Sequence, residues 1–148
     1  MTEAHIEERI ATLTQILRST GLRATPQRLE IIKAIVELPT HPSAEAVFQR
    51  VRLTHPTMSL ATVYVTLDRL VKMGALQEVV GTTERHYDGR NPQPHAHLVC
   101  RVCGCIADVA MPPGWENMRN ADNLSGFAAD VMQVTLLGTC AHCQKTPL

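Results

Sequence analysis

Residues 95–105 read HAHLVCRVCGC, two histidines and three cysteines in eleven positions. Donors at this density make one metal site, parts of two, or a redox device. Cys100-x-x-Cys103 is matched near the C-terminus by Cys140-x-x-Cys143. Two equal pairs separated by the length of a small fold are a strong signal for one closed, tetrahedral Zn²⁺ site, which staples a domain too small to rely on its core. Two disulfides are the other use for four such thiols. Cys105 has no counterpart in the second pair and reads as a small strand residue, open to replacing a ligand or to oxidation. His95 and His97 are two apart, so an extended segment points both to one side and Cys100, of opposite parity, to the other. That parity argues for two sites. Asp108, inside the otherwise apolar CIADVAM, needs a partner if it is buried and a solvent-facing strand if it is not. Asp88, in HYDG, is either a ligand or a turn residue.

The elements that must position these residues fall into two units. Ile6, Ile10, Leu13 and Leu17 recur at helical spacing and the helix ends near Gly21. A second helix opens at ATPQRLEIIKAIVEL, with Thr25 as N-cap and Pro26 in the first helical position, where its missing N–H costs nothing. Ser43 caps a third, with Ala44, Val47, Phe48 and Val51 on one face. Ser59 caps a fourth, in which Leu60, Val63, Leu67, Leu70 and Val71 form an inward stripe and Gly74 supplies the stop. Two short strands, ALQEVV and ERHYDG, flank Gly81-Thr82-Thr83 as a hairpin. RNPQPH reads as a linker. Beyond it HLVC, CIADVAM and FAADVMQVTLLG read as strands, with one short helix between Pro113 and Leu124. The expected architecture is α+β: a winged helix-turn-helix unit over residues 1–90 and a small α/β unit over 91–148.

Three helices and a hairpin outline a module whose last helix enters the DNA major groove. With Leu60, Val63, Leu67 and Leu70 turned inward, the opposite face offers Thr62, Tyr64, Thr66, Arg69 and Lys72, residue types that suit phosphate and base-edge contacts. Arg23, Ser59, Thr62, Tyr64, Thr66 and Arg69 are the candidate DNA contacts. A merely solvated amphipathic helix has the same pattern. The 148 residues sum to zero net charge, but 9–90 carry eleven Lys/Arg against seven Asp/Glu, a surplus of +4 that points modestly to nucleic acid. The N-terminal stretch has acids where a signal peptide needs bases, and no run reaches membrane length, so the chain reads as cytoplasmic.

Taken together, TGLRATPQRLEII, HPSAEAVF, MSLATVYVTLDRLVKMGAL, RHYDG, HAHLVCRVCG and GTCAHC resemble, in order and spacing, the ferric uptake regulator superfamily of bacterial metal-dependent repressors. The resemblance covers essentially the whole chain. It implies a winged helix, a C-terminal dimerisation domain, a structural zinc on Cys100, Cys103, Cys140 and Cys143, and a second, regulatory metal site. The regulatory ligands it implies are His41, Asp88, His95, His97 and Asp108. Three imidazoles and two carboxylates suit Fe²⁺ or Mn²⁺ better than structural zinc. Aspartate at both 88 and 108 resembles the peroxide-sensing branch, whereas the spacing from Asp88 to Cys100 matches the iron sensors. The implied partners are a second copy of the chain and a palindromic operator in double-stranded DNA. Val65 departs from the Arg or Asn of many relatives.

Other classes fit less well. A zinc deaminase needs H-x-E with P-C-x-x-C, and HAH lacks the glutamate while neither Cys pair follows a proline. A thioredoxin-like enzyme needs one reactive pair beside a βαβ unit. A zinc-stapled protein-interaction module without DNA binding leaves the paired Asp and His positions idle.

Overall fold

A computed structural model describes residues 2–119, 126–128 and 131–145. The chain divides into two compact units, Met1–Pro92 and Gln93–Leu148.

In the first unit lie α1 (Glu3–Ser19), α2 (Pro26–Glu37), α3 (Ala44–Arg52) and α4 (Leu60–Lys72). Each starts where a hydroxyl can satisfy an orphan N–H. The side chains of Thr2, Thr25, Ser43 and Ser59 accept from the amides of His5, Arg28, Ala46 and Thr62. The stripes meet in one aliphatic core, in which Leu13, Leu17, Ile31, Ile35, Val47, Val51, Val63, Leu67 and Leu70 are fully buried. Each such side chain contributes about 1.5–3 kcal/mol relative to an exposed one, which suffices for a core poor in aromatics.

The wing consists of β1 (Gln77–Val79) and β2 (His86–Asp88), antiparallel with Gln77 opposite Asp88. A third extended piece, residues 41–43, lies along the other edge of β2. Ser43 bridges His86, and the Tyr87 amide donates to the Pro42 carbonyl at 3.1 Å. Thr40, with φ at 62°, turns the chain from α2 into this piece, a conformation uncommon for a β-branched residue. Arg85 ties the wing to α4. Its guanidinium donates to both carboxylate oxygens of Glu78 at 2.6 and 2.7 Å and to Asp68 at 2.7 Å.

The second unit is a three-stranded sheet of β3 (His95–Cys100), β4 (Ile106–Ala110) and β5 (Val134–Gly138), in the order β4-β3-β5. β3 is antiparallel to β4 and parallel to β5. The expected strand CIADVAM starts one residue late, so Cys105 precedes it rather than lying within it. The expected FAADVMQVTLLG strand narrows to Val134–Gly138, and its Ala129 and Asp130 lie outside the described residues. The expected helix appears as α5 (Trp115–Arg119), while its far end at Leu124 also lies outside them. An unanticipated single turn, α6 (Ala141–Lys145), follows Cys140. Among the described residues no helix is long and apolar enough to cross a membrane.

Candidate metal centres and DNA-reading face

The α+β class expected from the sequence is the one observed. His95 and His97 leave β3 on one side, with their Nε2 atoms 3.1 Å apart. Both are buried. The carbonyl of Gln93 lies 2.8 Å from His95 Nδ1, which leaves Nε2 as the outward donor atom. Asp108 stands opposite His97 in the β3–β4 ladder, its Oδ1 3.6 Å from His95 Nε2 and 3.8 Å from His97 Nε2. Its side chain is 43% exposed. The strand thus faces solvent at Asp108, and two imidazoles and a carboxylate converge without any loop rearrangement.

His41 and Asp88 form a corresponding pair within the first unit. The antiparallel register that sets Ser43 against His86, continued by two residues, sets His41 against Asp88. Both are buried. Asp88 Oδ1 accepts the amides of Arg90 at 2.9 Å and Asn91 at 3.2 Å. Three residues that sequence reasoning missed hold it there. Arg9 reaches from α1 to donate through Nε to the Gly89 carbonyl at 2.9 Å and through a terminal nitrogen to the Ala75 carbonyl. Burial pulls the Arg9 guanidinium down from its ordinary range and the nearby Asp88 charge opposes that. Gly89 passes so close to α2 that a Cβ would sit 2.5 Å from the Ile35 carbonyl oxygen. Arg90 caps the end of α2, donating to the carbonyls of Val36 at 2.9 Å and Glu37 at 3.1 Å. A trace of this was legible, because Arg9 falls three residues after Ile6 and four before Leu13, on the inward stripe.

The cysteines gather at the other end of β3, on its opposite face. The Sγ atoms of Cys100, Cys103, Cys105 and Cys140 all lie within 4.8 Å of one another. Cys103 and Cys140 are 3.8 Å apart. The fourth thiol in this mutually close set is that of Cys105, not the Cys143 expected from the paired motif, although the Cys143 thiol also meets those of Cys140, Cys103 and Cys100. Backbone amides of Cys103 and Cys140 point at Cys100 and pull its thiol down to about 5. The Cys140 amide reaches that sulfur at 3.3 Å.

The reading of α4 needs correction. Thr66 is fully buried and donates to the Thr62 carbonyl at 2.8 Å. It lies three residues after Val63 and four before Leu70, which places it in the inward ridge. Tyr64 is half-buried and donates to Glu45 Oε1 at 2.7 Å, so it binds α4 to α3. The outward face is Ala61, Val65, Arg69 and Lys72, all exposed. At the exposed start of the helix the Ser59 and Thr62 hydroxyls lie 2.8 Å apart. Arg23 is exposed before α2, and its carbonyl accepts from Arg28 at 2.9 Å.

A model of the ferric uptake regulator family matches residues 19–136. The chain belongs to the ferric uptake regulator family. It is 32% identical over 143 residues to the peroxide-responsive repressor PerR of Staphylococcus aureus, covering 96% of this chain and 93% of that one. Among solved structures, the Helicobacter pylori ferric uptake regulator is similar at a TM-score of 0.73 and 22% identity, over 94% of this chain and 93% of that one. A zinc uptake regulator complexed with zinc and DNA is similar at a TM-score of 0.68 and 25% identity, over 98% and 97%.

This member of the ferric uptake regulator family therefore carries two donor sets of different chemistry on opposite faces of one strand. The thiols suit a soft or borderline ion held for structure. The imidazoles and carboxylate suit a harder divalent ion.

Proposed function

We propose that the chain is a cytoplasmic, metal-dependent transcriptional repressor, not an enzyme, which binds a palindromic operator as a homodimer and senses peroxide. In this reading Cys100, Cys103, Cys140 and Cys143 hold a structural Zn²⁺. His41, Asp88, His95, His97 and Asp108 take a regulatory Fe²⁺ or Mn²⁺. The observation that carries it is the division of donors along β3: His95 and His97 converge with Asp108 on one face, and the thiols converge on the other. A protein with one structural ion has no use for the second set.

The His41–Asp88 pair belongs to the winged unit and the other three ligands to the sheet unit. An ion that takes both sets restrains the two units to one orientation. If DNA prefers that orientation, metal and DNA favour each other through their shared differential affinity. Two copies, joined through the partly exposed apolar face of the second unit, where Leu98, Leu136 and Leu137 border a cavity of about 230 Å³, present two α4 helices to two half-sites. The peroxide reading is supported by the S. aureus relative and by aspartate at both 88 and 108. Iron bound there supplies one-electron chemistry with peroxide that manganese lacks.

Protein purified without oxygen is tested on a promoter fragment carrying a palindrome. Fe²⁺ and Mn²⁺ are each expected to promote binding. Dilute peroxide then releases DNA from the iron form only, with one oxygen added to a peptide containing His41 or His95 and His97. Unmodified histidines and intact binding after peroxide move the chain to an iron- or manganese-responsive role. Absence of any metal-dependent shift leaves a zinc-stapled interaction module.

A further inference from the structure

Four thiols, those of Cys100, Cys103, Cys105 and Cys140, lie within 4.8 Å of one another with Cys143 in the turn that follows Cys140, and we infer that Cys105 and Cys143 are interchangeable fourth ligands of the zinc held by Cys100, Cys103 and Cys140. This rests on the zinc reading above and adds a residue that the paired motif leaves out.

The β-hairpin dictates the position of Cys105. The β3–β4 ladder sets His97 against Asp108 and Val99 against Ile106. One step further along, Cys100 meets Cys105, and the Cys100 amide donates to the Cys105 carbonyl at 3.0 Å. Directly opposed residues share a face, with side chains close enough to touch. Gly104 makes the return possible with φ at +72°, and its amide donates to the Cys100 carbonyl at 2.9 Å. A Zn–S bond of about 2.3 Å puts tetrahedral sulfurs about 3.8 Å apart. Cys103 and Cys140 already stand at that separation, and the set containing Cys105 needs to contract by no more than about an ångström from its 4.8 Å limit.

Cys143 is the second candidate for the fourth vertex. It sits in the single turn α6, its amide 3.5 Å from Cys140 Sγ and its thiol against those of Cys140, Cys103 and Cys100. The Cys105 thiol contacts Cys103 and Cys140 as well. Both candidates therefore flank the same two sulfurs. One is carried by a hairpin and the other by a five-residue helix, so either can close the tetrahedron while the other stands aside. The consequence is a staple that survives the chemical loss of either thiol.

The full-length chain and its Cys105→Ser, Cys143→Ser and doubly substituted forms are compared for zinc per chain after a chelator challenge, for melting temperature, and for thiolate-to-metal charge transfer with Co²⁺ in place of zinc. The parent and both single variants are expected to retain one zinc and equal charge-transfer intensity. The double variant loses the ion. Loss of zinc in Cys143→Ser alone, including failure of that variant to fold, overturns the inference by making Cys143 obligatory. Loss in Cys105→Ser alone overturns it in the opposite direction. Retention in the double variant shows that neither thiol is needed. A drop of about one quarter in cobalt intensity in Cys143→Ser, with no further drop in the double variant, shows water filling the vertex and also overturns it. A parent without zinc refutes the zinc reading itself, a result distinct from all of these.

Discussion

His97 and Asp108 are cross-strand partners in the β3–β4 ladder, with Nε2 and Oδ1 3.8 Å apart. A carboxylate placed by a ladder register takes its position from backbone pairing. The sheet pairing therefore persists when that side chain is replaced. The first prediction follows from this independence. Asp108→Ala is expected to leave zinc content and melting temperature unchanged while weakening metal-stimulated DNA binding at least tenfold, a loss of about 1.4 kcal/mol in coupling. His41→Ala and Asp88→Ala should act in the same direction. Titration of DNA binding against Mn²⁺, beside zinc analysis of the same samples, checks it. Zinc loss in any of the three would mean that the two donor sets are not separable.

Gly89 is the position at which the scaffold of the regulatory pair is most exposed to a single change. Its absent Cβ would meet the Ile35 carbonyl oxygen at 2.5 Å, against rigid helix backbone. Gly89→Ala is expected to destabilise the first unit by about 1–3 kcal/mol, as overpacking of a close approach does. Because Asp88 is the adjacent residue, the concentration of Mn²⁺ needed for half-maximal DNA binding should rise too. Urea unfolding measures the first effect, and a variant as stable as the parent would refute it.

On α4, contact with DNA and support of the helix separate by residue. Arg69 is exposed on the outward face, so Arg69→Ala should weaken binding and reduce the salt dependence by about one unit of slope, as loss of one phosphate contact does. Thr66→Val, inside the fully buried ridge, should alter stability without altering that slope. Binding isotherms at several salt concentrations decide the matter. An unchanged slope for Arg69→Ala, or a changed one for Thr66→Val, would reverse the assigned faces.

The hydrogen bond from Tyr64 to Glu45 gives a pH signature. The Tyr64 hydroxyl holds the Glu45 carboxylate below its usual range, and the same bond raises the Tyr64 hydroxyl above its own. A depressed carboxyl stabilises the fold above its unfolded value of about 4.3, and that contribution is lost as pH falls through the folded value. A raised phenol stabilises below its unfolded value of about 10, and that contribution is lost as pH rises through the folded value. Tyr64→Phe is thus expected to cost about 1 kcal/mol at neutral pH. The difference from the parent should shrink as pH falls below about 4.3 and again as it rises above about 10. Denaturation midpoints of both proteins across pH test this, and a difference independent of pH would assign the cost to packing.

Local chemistry made the helices legible. Thr25, Ser43 and Ser59 cap where a hydroxyl precedes an apolar stripe, because the first amides of a helix need an acceptor wherever the helix sits. The alternation of β3 separates His95 and His97 from Cys100 in the sequence itself, because side-chain parity in a strand depends only on residue count. What required the tertiary structure is every relation between distant segments. Residues 41–43 do not read as a strand, yet they pair with β2 and so bring His41 opposite Asp88. Cys105 reads as a spare until the hairpin register sets it against Cys100. Tyr64 and Thr66 read as a polar outward face until α3 and the inward ridge claim them. Arg9 meets Gly89 across eighty positions of sequence. The reason is the same in each case: periodicity and capping report a residue's immediate neighbours, whereas ladder register and close approach depend on which distant backbone the fold brings alongside.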